Sequence, residues 1–430
     1  MPNGAEGGPG GPEPARLEGT APAPRAGASP LEGAAPPAPA RSLTESARMR
    51  AVQAPIVPIV GRWVRETPGT ISLGQGMVSY GPPAEVMAAA RAFGDRPDDH
   101  RYGPVEGEPG LVAAIERKLA EENGIVVRPA SRVVVTAGGN MAFFNAVLAV
   151  ADPGDEVILQ RPFYFNHEMA IEMAGGRAVA VPTTPDYQLD LDAIAAAITP
   201  RTRAIVTVSP NNPTGAVYPA SALRAVNALC AGHGLYHVHD EVYEYFTDNG
   251  VHHSPGSAAG AAAHTISLFS LSKAYGFASW RIGYMVVPDA LFEAVNKIQD
   301  TNLICAALVS QRAAEAAIAV GAGYARRHLG TLAATRARLF DALASLGPRC
   351  TAPRTNGAFY AFVHLDAPVD PLRLTERLIR EHGVAVIPGT AFGVAEACSF
   401  RVSFGALDAD TVAEGIRRLT SGLRAVLADG

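Results

Sequence analysis

One lysine in this chain, set between two serines and an arginine, could carry out covalent chemistry. Lys273 follows Ser270 and Ser272 at the end of an apolar run, and Arg281 comes eight residues later. A lysine in a dry pocket can lose its charge and become a nucleophilic amine that forms a Schiff base with an aldehyde. Two hydroxyl groups and a guanidinium suit a phosphate dianion. The pattern therefore predicts a site for pyridoxal 5′-phosphate (PLP), which is both an aldehyde and a phosphate ester.

A glycine turn and an aromatic side chain follow two other apolar runs. Gly138 and Gly139 precede Asn140 and a predicted helix, so free N–H groups at the helix start could bind a phosphate. Tyr164 comes after the next run, where its ring could lie flat on a pyridine ring. Structural alternatives remain open for both: a plain strand-to-helix turn for the glycines, and a core aromatic for Tyr164.

Two further strand ends carry an amide and a carboxylate. Asn212 lies in the turn Ser-Pro-Asn-Asn-Pro-Thr-Gly and could donate to a phenolate oxygen, although a simple rigid turn is the alternative. Asp240 ends another strand, and a carboxylate beside a pyridine nitrogen keeps that nitrogen protonated. Tyr243 is expected one helical turn later, within reach of the ring's 3′-oxygen. The alternative for Asp240 is an N-cap of a helix over 241–245.

Alternating strand and helix patterns must bring these strand ends together. The apolar, β-branched runs predict seven strands that helices cover on both faces. The predicted strands cover residues 132–136, 156–159, 178–181, 204–208, 235–239, 265–269 and 282–287. This order predicts an α/β fold whose large domain has a mostly parallel, doubly wound sheet, with ligands at the carboxyl ends of the strands.

The same patterns divide the chain into four predicted segments. Residues 1–45 are rich in Pro, Gly and Ala, which predicts a disordered tail. Residues 46–84 are predicted to form an N-terminal arm and part of a small domain. Residues 85–312 predict the large, PLP-binding domain. Long helical stretches, one over 324–346, and short strands then predict a smaller α+β domain over 313–430. The small domain is expected to combine N- and C-terminal segments.

Composition does not favour nucleic acid or membrane partners. The 430 residues are 48% hydrophobic and 18% charged, with a formal net charge of −5. No run of about 18 apolar residues occurs, so no membrane span is predicted, and residues 1–45 have no apolar h-region, so no signal peptide is predicted either. The four cysteines lie far apart, which is typical of reduced residues in a cytoplasmic protein.

In this order and at these spacings, the motifs resemble the class I/II aminotransferases, which are fold-type I PLP enzymes. The resemblance covers residue 50 to the C-terminus and depends on Lys273 with Arg281, on Asn-Asn-Pro-Thr-Gly, and on Asp240-Glu-Val-Tyr243. It implies a PLP-dependent transaminase that moves an amino group between an L-amino acid and a 2-oxo acid by a ping-pong mechanism. It also implies a homodimer with shared active sites.

The resemblance further implies a role for each matching residue. Lys273 would bind the cofactor and later move a proton, and Asp240 would pair with the ring nitrogen. Arg401 would clamp the substrate α-carboxylate beside the Gly76 backbone and Asn212, which would also bind substrate. Tyr102 would cross the dimer interface to the other subunit's phosphate. The remaining ligands would be Gly138, Gly139, Asn140, Ser270, Ser272 and Arg281 for the phosphate, and Tyr164, Asn212 and Tyr243 for the ring.

Three alternatives remain. The same scaffold serves lyases, synthases and PLP-dependent oxidases, because the cofactor supplies the chemistry and the pocket chooses which bond breaks. His237 and His239 lie on one face of a predicted strand and could bind a metal, but no second ligand cluster is evident and we expect no metal site. A non-catalytic, ligand-sensing domain is the third, although residues 1–45 lack the helical periodicity and basic face of a DNA-binding domain.

The segment between Arg281 and Arg312 bears on the substrate. Family members that select dicarboxylates use an added arginine in this region, whereas this chain has none and carries Asp300 near that position. An anion there would repel a second carboxylate. The sequence therefore predicts that neutral donors, aromatic or sulfur-containing, or basic ones are preferred to aspartate.

Overall fold

The computed structural model describes residues 44–429, and the predicted tail lies outside them except for its last two residues. From Ser46 onward the described chain forms one compact unit. Its helices are α1 (Ala47–Ala51), α2 (Ile56–Glu66), α3 (Ala84–Arg91), α4 (Pro109–Lys118), α5 (Gly139–Val150), α6 (Phe165–Ala174), α7 (Leu191–Ala196), α8 (Ala220–His233), α9 (Leu271–Ala274), α10 (Asp289–Asn302), α11 (Leu308–Val320), α12 (Gly323–Arg326), α13 (Leu329–Ala344), α14 (Pro371–His382) and α15 (Ala409–Asp429). Among the described residues, no helix has the length and apolar character needed to cross a membrane.

Seven strands form the central sheet, and they are the seven predicted from the sequence. All strands of the described chain are β1 (Ile71–Ser72), β2 (Ser131–Thr136), β3 (Glu156–Arg161), β4 (Arg177–Pro182), β5 (Thr202–Val208), β6 (Tyr236–Asp240), β7 (Thr265–Ser270), β8 (Gly283–Pro288), β9 (Cys350–Thr351), β10 (Tyr360–Leu365), β11 (Val384–Ala385), β12 (Ile387–Pro388) and β13 (Ser399–Ser403). The central order is β2-β8-β7-β6-β5-β3-β4, and β8 alone runs antiparallel to its neighbours. Val134, Ile158, Ile205 and Ile266 are fully buried, as expected when helices cover both faces. The predicted α/β class is confirmed.

The direction of the strands brings the candidate residues to one edge of the sheet. β2 ends at Thr136, β5 at Val208, β6 at Asp240 and β7 at Ser270. Because β8 runs the other way, it begins at this same edge, shortly after Arg281. The edge therefore collects polar side chains from widely separated parts of the sequence.

Both ends of the described chain contribute to a second, smaller group of strands. β1 pairs in parallel with β11, which joins Ile71 to Val384, and β12, β13, β10 and β9 form an antiparallel sheet in that order. Helices α14 and α15 pack against each other and against these strands. A smaller α+β part built from N- and C-terminal segments was expected; the boundaries 46–84, 85–312 and 313–430 stay predictions.

Two predicted helices differ in the structure. The stretch 324–346 forms two helices, α12 and α13, because the His328 N–H bonds to the Ala325 carbonyl and closes a tight turn between them. Residues 241–245 form a turn closed by the Glu244 N–H and the Glu241 carbonyl (2.9 Å). Asp240 is therefore no helix N-cap, although its Oδ1 accepts the Val242 N–H within the turn (3.1 Å).

Candidate active site

A cavity of about 470 Å³ lies where the central strands end. It brings together most of the residues that the sequence singled out. These are Gly76, Gly139, Asn140, Tyr164, Asn212, Asp240, Tyr243, Ser270, Ser272, Lys273, Arg281 and Arg401. Gly138 lies directly behind Arg281, and Tyr102 does not line this cavity.

Lys273 reaches into the cavity from α9, a single helical turn at the end of β7. Ser270 caps this turn, because its Oγ accepts the Ser272 N–H (3.2 Å). The Lys273 Nζ donates to the Gly76 carbonyl (2.5 Å). Burial, followed by the positive charges of Arg401 and Arg281, lowers the pKa of Lys273 to about 8, while Asp240 opposes the shift. The site therefore favours the neutral, nucleophilic amine far more than water does.

One wall of the cavity has the donors of an anion-binding cradle. Arg281 Nη1 donates to the Ala278 carbonyl (2.9 Å) and lies 3.5 Å from Ser272 Oγ. Gly138 has a positive φ of 85°, and a Cβ at this position would lie 2.5 Å from Arg281 Nη2. Glycine is therefore required for the guanidinium to lie against the backbone. Helix α5 begins at Gly139, so the unpartnered N–H groups of its first turn belong to the same wall.

The carboxylate of Asp240 is held by a histidine that the sequence analysis missed. His167 Nε2 lies 3.2 Å from Asp240 Oδ2, and the His167 ring stacks on Phe143 with centroids 3.9 Å apart. His167 comes three residues after Tyr164, so both lie on one face at the start of α6. That spacing could have indicated it, but its partner Asp240 is far away in the sequence.

Arg401 forms the opposite wall of the cavity. This side chain on β13 is only 3% exposed, yet no carboxylate of the described residues pairs with it. Its Nη1 donates to Asn212 Oδ1 (2.9 Å) and its Nη2 to the Gly74 carbonyl (2.8 Å), while Nε has no partner. A buried guanidinium is costly unless an anion accompanies it, so this arrangement suits a carboxylate supplied by a ligand.

A tyrosine missed by the sequence analysis connects these groups. Tyr360 Oη lies 2.7 Å from Tyr243 Oη, and Asn212 Nδ2 donates to Tyr243 Oη (3.4 Å). The Arg401 guanidinium lies over the Tyr360 ring, 4.7 Å from its centroid. Burial raises the pKa of Tyr243 well above its ordinary value and that of Tyr360 to about 12. Both phenols therefore stay protonated and can donate hydrogen bonds at neutral pH.

Three other residues from the sequence analysis lie outside the cavity of their own chain. Tyr102 is 81% exposed, which is unusual for a tyrosine. Asp300 is exposed on α10 and does not line the cavity, so the structure gives no support within this chain to the charge argument based on it. His237 is fully buried in the sheet and bonds to Thr207 and Asn227, as expected of a satisfied core histidine.

Comparison with known proteins identifies the family to which the protein with this cavity belongs. Residues 68–419 match the family model described as aminotransferase class I and II. The chain therefore belongs to the class I and II aminotransferase family, as the sequence motifs predicted.

Named relatives agree with this assignment. An aromatic aminotransferase of Arabidopsis thaliana is 32% identical over 90% of this chain and 98% of its own length. An aspartate/prephenate aminotransferase of Thermus thermophilus is 37% identical over 75% of this chain and 83% of its own. The solved Thermus thermophilus aspartate aminotransferase with maleate superimposes with a TM-score of 0.81 at 33% identity, covering 88% of this chain and 99% of that one. The protein is an aminotransferase, which acts on amino acids and 2-oxo acids.

The depressed pKa of Lys273 has a consequence for stability. In the ligand-free protein the folded state binds the Lys273 proton with a pKa of about 8, against 10.5 when unfolded. Between these values the unfolded chain binds more protons, so stability rises with pH. Lys273→Met removes this titration and should therefore have a higher free energy of unfolding than wild type at pH 7. The difference between the two proteins should decrease by on the order of 3 kcal/mol as the pH rises to 10.5.

Urea unfolding of both proteins from pH 7 to pH 10 measures this difference. Lys297→Met is the matched control, because the Lys297 side chain is 73% exposed and forms only a surface ion pair with Glu293. An unchanging difference between Lys273→Met and wild type would contradict the assigned pKa.

Proposed function

We propose that this cavity binds PLP through Lys273 and moves an amino group from a neutral L-amino acid, aromatic or sulfur-containing, to a 2-oxo acid. The observation that carries the proposal is the Lys273 amine, with a pKa lowered by burial to about 8, in one cavity with an anion cradle and a carboxylate. The donor set fits the cofactor, because hydroxyls and a guanidinium suit a phosphate and Asp240 suits a protonated ring nitrogen. PLP would supply an electron-withdrawing ring beside the substrate Cα.

The chain offers a distinct set of donors to each part of the cofactor. Asp240, positioned by His167, would pair with the ring nitrogen. The hydroxyl of Tyr243 can accept from Tyr360 and still donate to the 3′-oxygen, next to the amide of Asn212. The remaining groups would be Tyr164 for the ring face and Gly138, Gly139, Asn140, Ser270, Ser272 and Arg281 for the phosphate.

Two residues would act on the substrate itself. Arg401 would bind the α-carboxylate through parallel hydrogen bonds, since it is buried without an anionic partner among the described residues. The Lys273 amine, with a pKa near 8, can take up a proton from the substrate Cα and return it. Gly76 lies next to Lys273 and Tyr360, because its carbonyl accepts from Lys273 and a Cβ there would lie 2.8 Å from Tyr360 Oη.

The scarcity of lysine makes the cofactor proposal simple to test. The chain has three lysines, Lys118, Lys273 and Lys297. Borohydride reduction of the PLP-loaded protein should fix one pyridoxyl group, and peptide mapping should find it on Lys273. Lys273→Ala should keep the fold and lose at least about 10²–10⁴-fold in transamination, the usual contribution of a positioned acid–base group.

The two other lysines serve as controls for that experiment. Lys118 is buried against Glu244 and Lys297 is exposed, so neither should be labelled, and Lys297→Ala should keep full activity. A label on either residue, or no label at all, would sink the proposal that Lys273 holds PLP.

The preference for neutral donors follows from the charges that line the cavity. Lys273, Arg281 and Arg401 are the basic side chains among its described lining residues, and each has a task at the cofactor or the α-carboxylate. The remaining lining includes Val57 and Phe165. A second carboxylate would thus lose its hydration without gaining a cation of this chain. The relatives include both aromatic and aspartate aminotransferases, so their names do not distinguish between the two substrate classes. The proposed preference therefore depends on the residues that line this chain's own cavity.

A panel of amino donors tests this preference. Phenylalanine, tyrosine or methionine should give a higher kcat/KM than aspartate. Val57→Arg would add a cation to the lining and should raise the ratio of aspartate to phenylalanine kcat/KM roughly ten- to hundredfold, the range of a charge-assisted hydrogen bond. Val126→Arg is the control, because Val126 is 73% exposed and lies outside the cavity. Wild-type kcat/KM for aspartate equal to the best neutral donor would refute the preference.

We further propose a cytoplasmic homodimer in which Tyr102 completes the other subunit's site. Tyr102 is 81% exposed and too far from its own cavity to line it, which is how a side chain that contacts a second copy should look in a single chain. Two copies related by a two-fold axis would exchange this residue reciprocally. The cytoplasmic location is supported by four free cysteines, three of them buried.

Mixed dimers test the exchange of Tyr102. Co-expressed Tyr102→Ala and Lys273→Ala chains should form dimers with one intact site, so activity should exceed that of either variant alone. Lys273→Ala co-expressed with the double variant has no intact site and should show no such gain. A fully active monomer in sedimentation would overturn the shared-site proposal.

A further inference from the structure

Three donor groups meet behind the active site, on the other face of strand β6. The ligand-type atoms of His239, Glu241 and His252 all lie within 4.8 Å of one another. His239 and Glu241 flank Asp240, and alternation along the chain points them away from the side chain of Asp240. His252 comes from the loop that follows.

Two atoms of this group have no hydrogen-bond partner. His239 and Glu241 are fully buried, yet His239 Nε2 and Glu241 Oε1 are both unpaired. The other Glu241 oxygen, Oε2, accepts from His252 Nε2 (2.7 Å) and from Ser254 Oγ. Buried polar atoms are nearly always paired, and leaving one unpaired is destabilising. Two unpaired atoms on residues that each offer a ligand-type atom within 4.8 Å of the others indicate a missing ligand.

The surroundings of His239 match those of a metal-binding imidazole. Its Nδ1 lies 2.6 Å from Thr207 Oγ1, which also lies 2.7 Å from His237 Nε2. The Thr207 hydroxyl is therefore a partner for Nδ1, which leaves Nε2 as the ring nitrogen open to a ligand, and outer contacts of this kind orient metal-binding histidines.

We propose that His239 Nε2, Glu241 and His252 Nε2 bind a divalent transition metal ion, with Zn²⁺ as the preferred species. Two imidazoles and one carboxylate form a donor set that zinc accepts, with a water as fourth ligand. Ligand bonds of about 2.0–2.2 Å require the three groups to move closer together. His252 can supply that movement, since its loop side chain is 12% exposed and offers a path for the ion.

Metal binding would replace one hydrogen bond with three bonds to the ion. The hydrogen bond between His252 and Glu241 breaks, the proton of His252 Nε2 moves through solvent to Nδ1 of the same ring, and both groups bind the ion with His239. The ion would join the loop at His252 to the residues on both sides of Asp240. The site is therefore structural, because the Asp240 side chain that faces the cavity takes no part in it.

Zinc binding by the purified holoenzyme tests the proposal. After treatment with EDTA and removal of the chelator, equilibrium dialysis against zinc chloride should give one ion per chain and raise the unfolding temperature. His252→Gln and Glu241→Gln should each weaken binding at least about a hundredfold, since even an outer-shell change typically costs 10–100-fold. His233→Gln, an exposed histidine on α8, should bind zinc like wild type.

A gain-of-signal variant covers the case in which the first two variants fold poorly. In His252→Cys the thiolate can replace the imidazole, so cobalt(II) should produce a thiolate-to-metal charge-transfer band that wild type lacks. No zinc uptake by wild type would overturn the proposal. Equal uptake by the His252→Gln and Glu241→Gln proteins, or a His252→Cys protein without the cobalt band, would overturn it as well.

Discussion

An excess of positive charge within one cavity is the constraint on which the candidate site depends. Lys273, Arg281 and Arg401 line one cavity, and Asp240 is the one carboxylate among its described lining residues. At low dielectric, like charges repel strongly, so the two guanidiniums join burial in lowering the pKa of Lys273. The repulsion is relieved when the lysine loses its proton and when anions enter. In the proposed function a phosphate and a carboxylate would supply those anions, and the neutral amine would be the form that reacts.

The reversal of a single strand helps to build this constellation. Parallel strands deliver Asn212, Asp240 and Ser270 at their carboxyl ends, whereas antiparallel β8 delivers Arg281 just before its first residue. Arg281 itself has a positive φ of 50°, and the glycine at position 138 leaves room for its guanidinium. The cradle therefore depends on backbone conformation as much as on charge.

The wall of the cavity that contains Arg401 depends on contacts between N-terminal and C-terminal segments of the described chain. Arg401 Nη2 donates to the Gly74 carbonyl, and Ser403 Oγ donates to the Gln75 carbonyl (2.7 Å). The segment that carries Gly76 is thereby fixed beside Arg401, and the Gly76 carbonyl also accepts a hydrogen bond from Lys273. A substitution in this segment would therefore change the hydrogen bonds of both Lys273 and Arg401.

The sequence by itself determined the sheet and the residues at its strand ends. Continuous apolar runs identify buried parallel strands, and Lys273, Asp240 and Asn212 each follow such a run directly, so local pattern and fold rule together place them at one edge. Arg401 and Gly76 could be found because their local motifs resemble those of a known family. For Asp240, the helix-cap alternative fails because residues 241–245 form a turn.

Only the tertiary structure decided which side chains complete these groups. His167 supports Asp240, and Tyr360 joins Tyr243 to Arg401, through contacts between residues far apart in the sequence, which no local periodicity reports. The spacing of His237 and His239 suggested a metal pair, but both rings bond to Thr207, and His239 instead meets Glu241 and His252. The reason is physical: a strand fixes the face on which a side chain lies, whereas packing against distant segments fixes its partners.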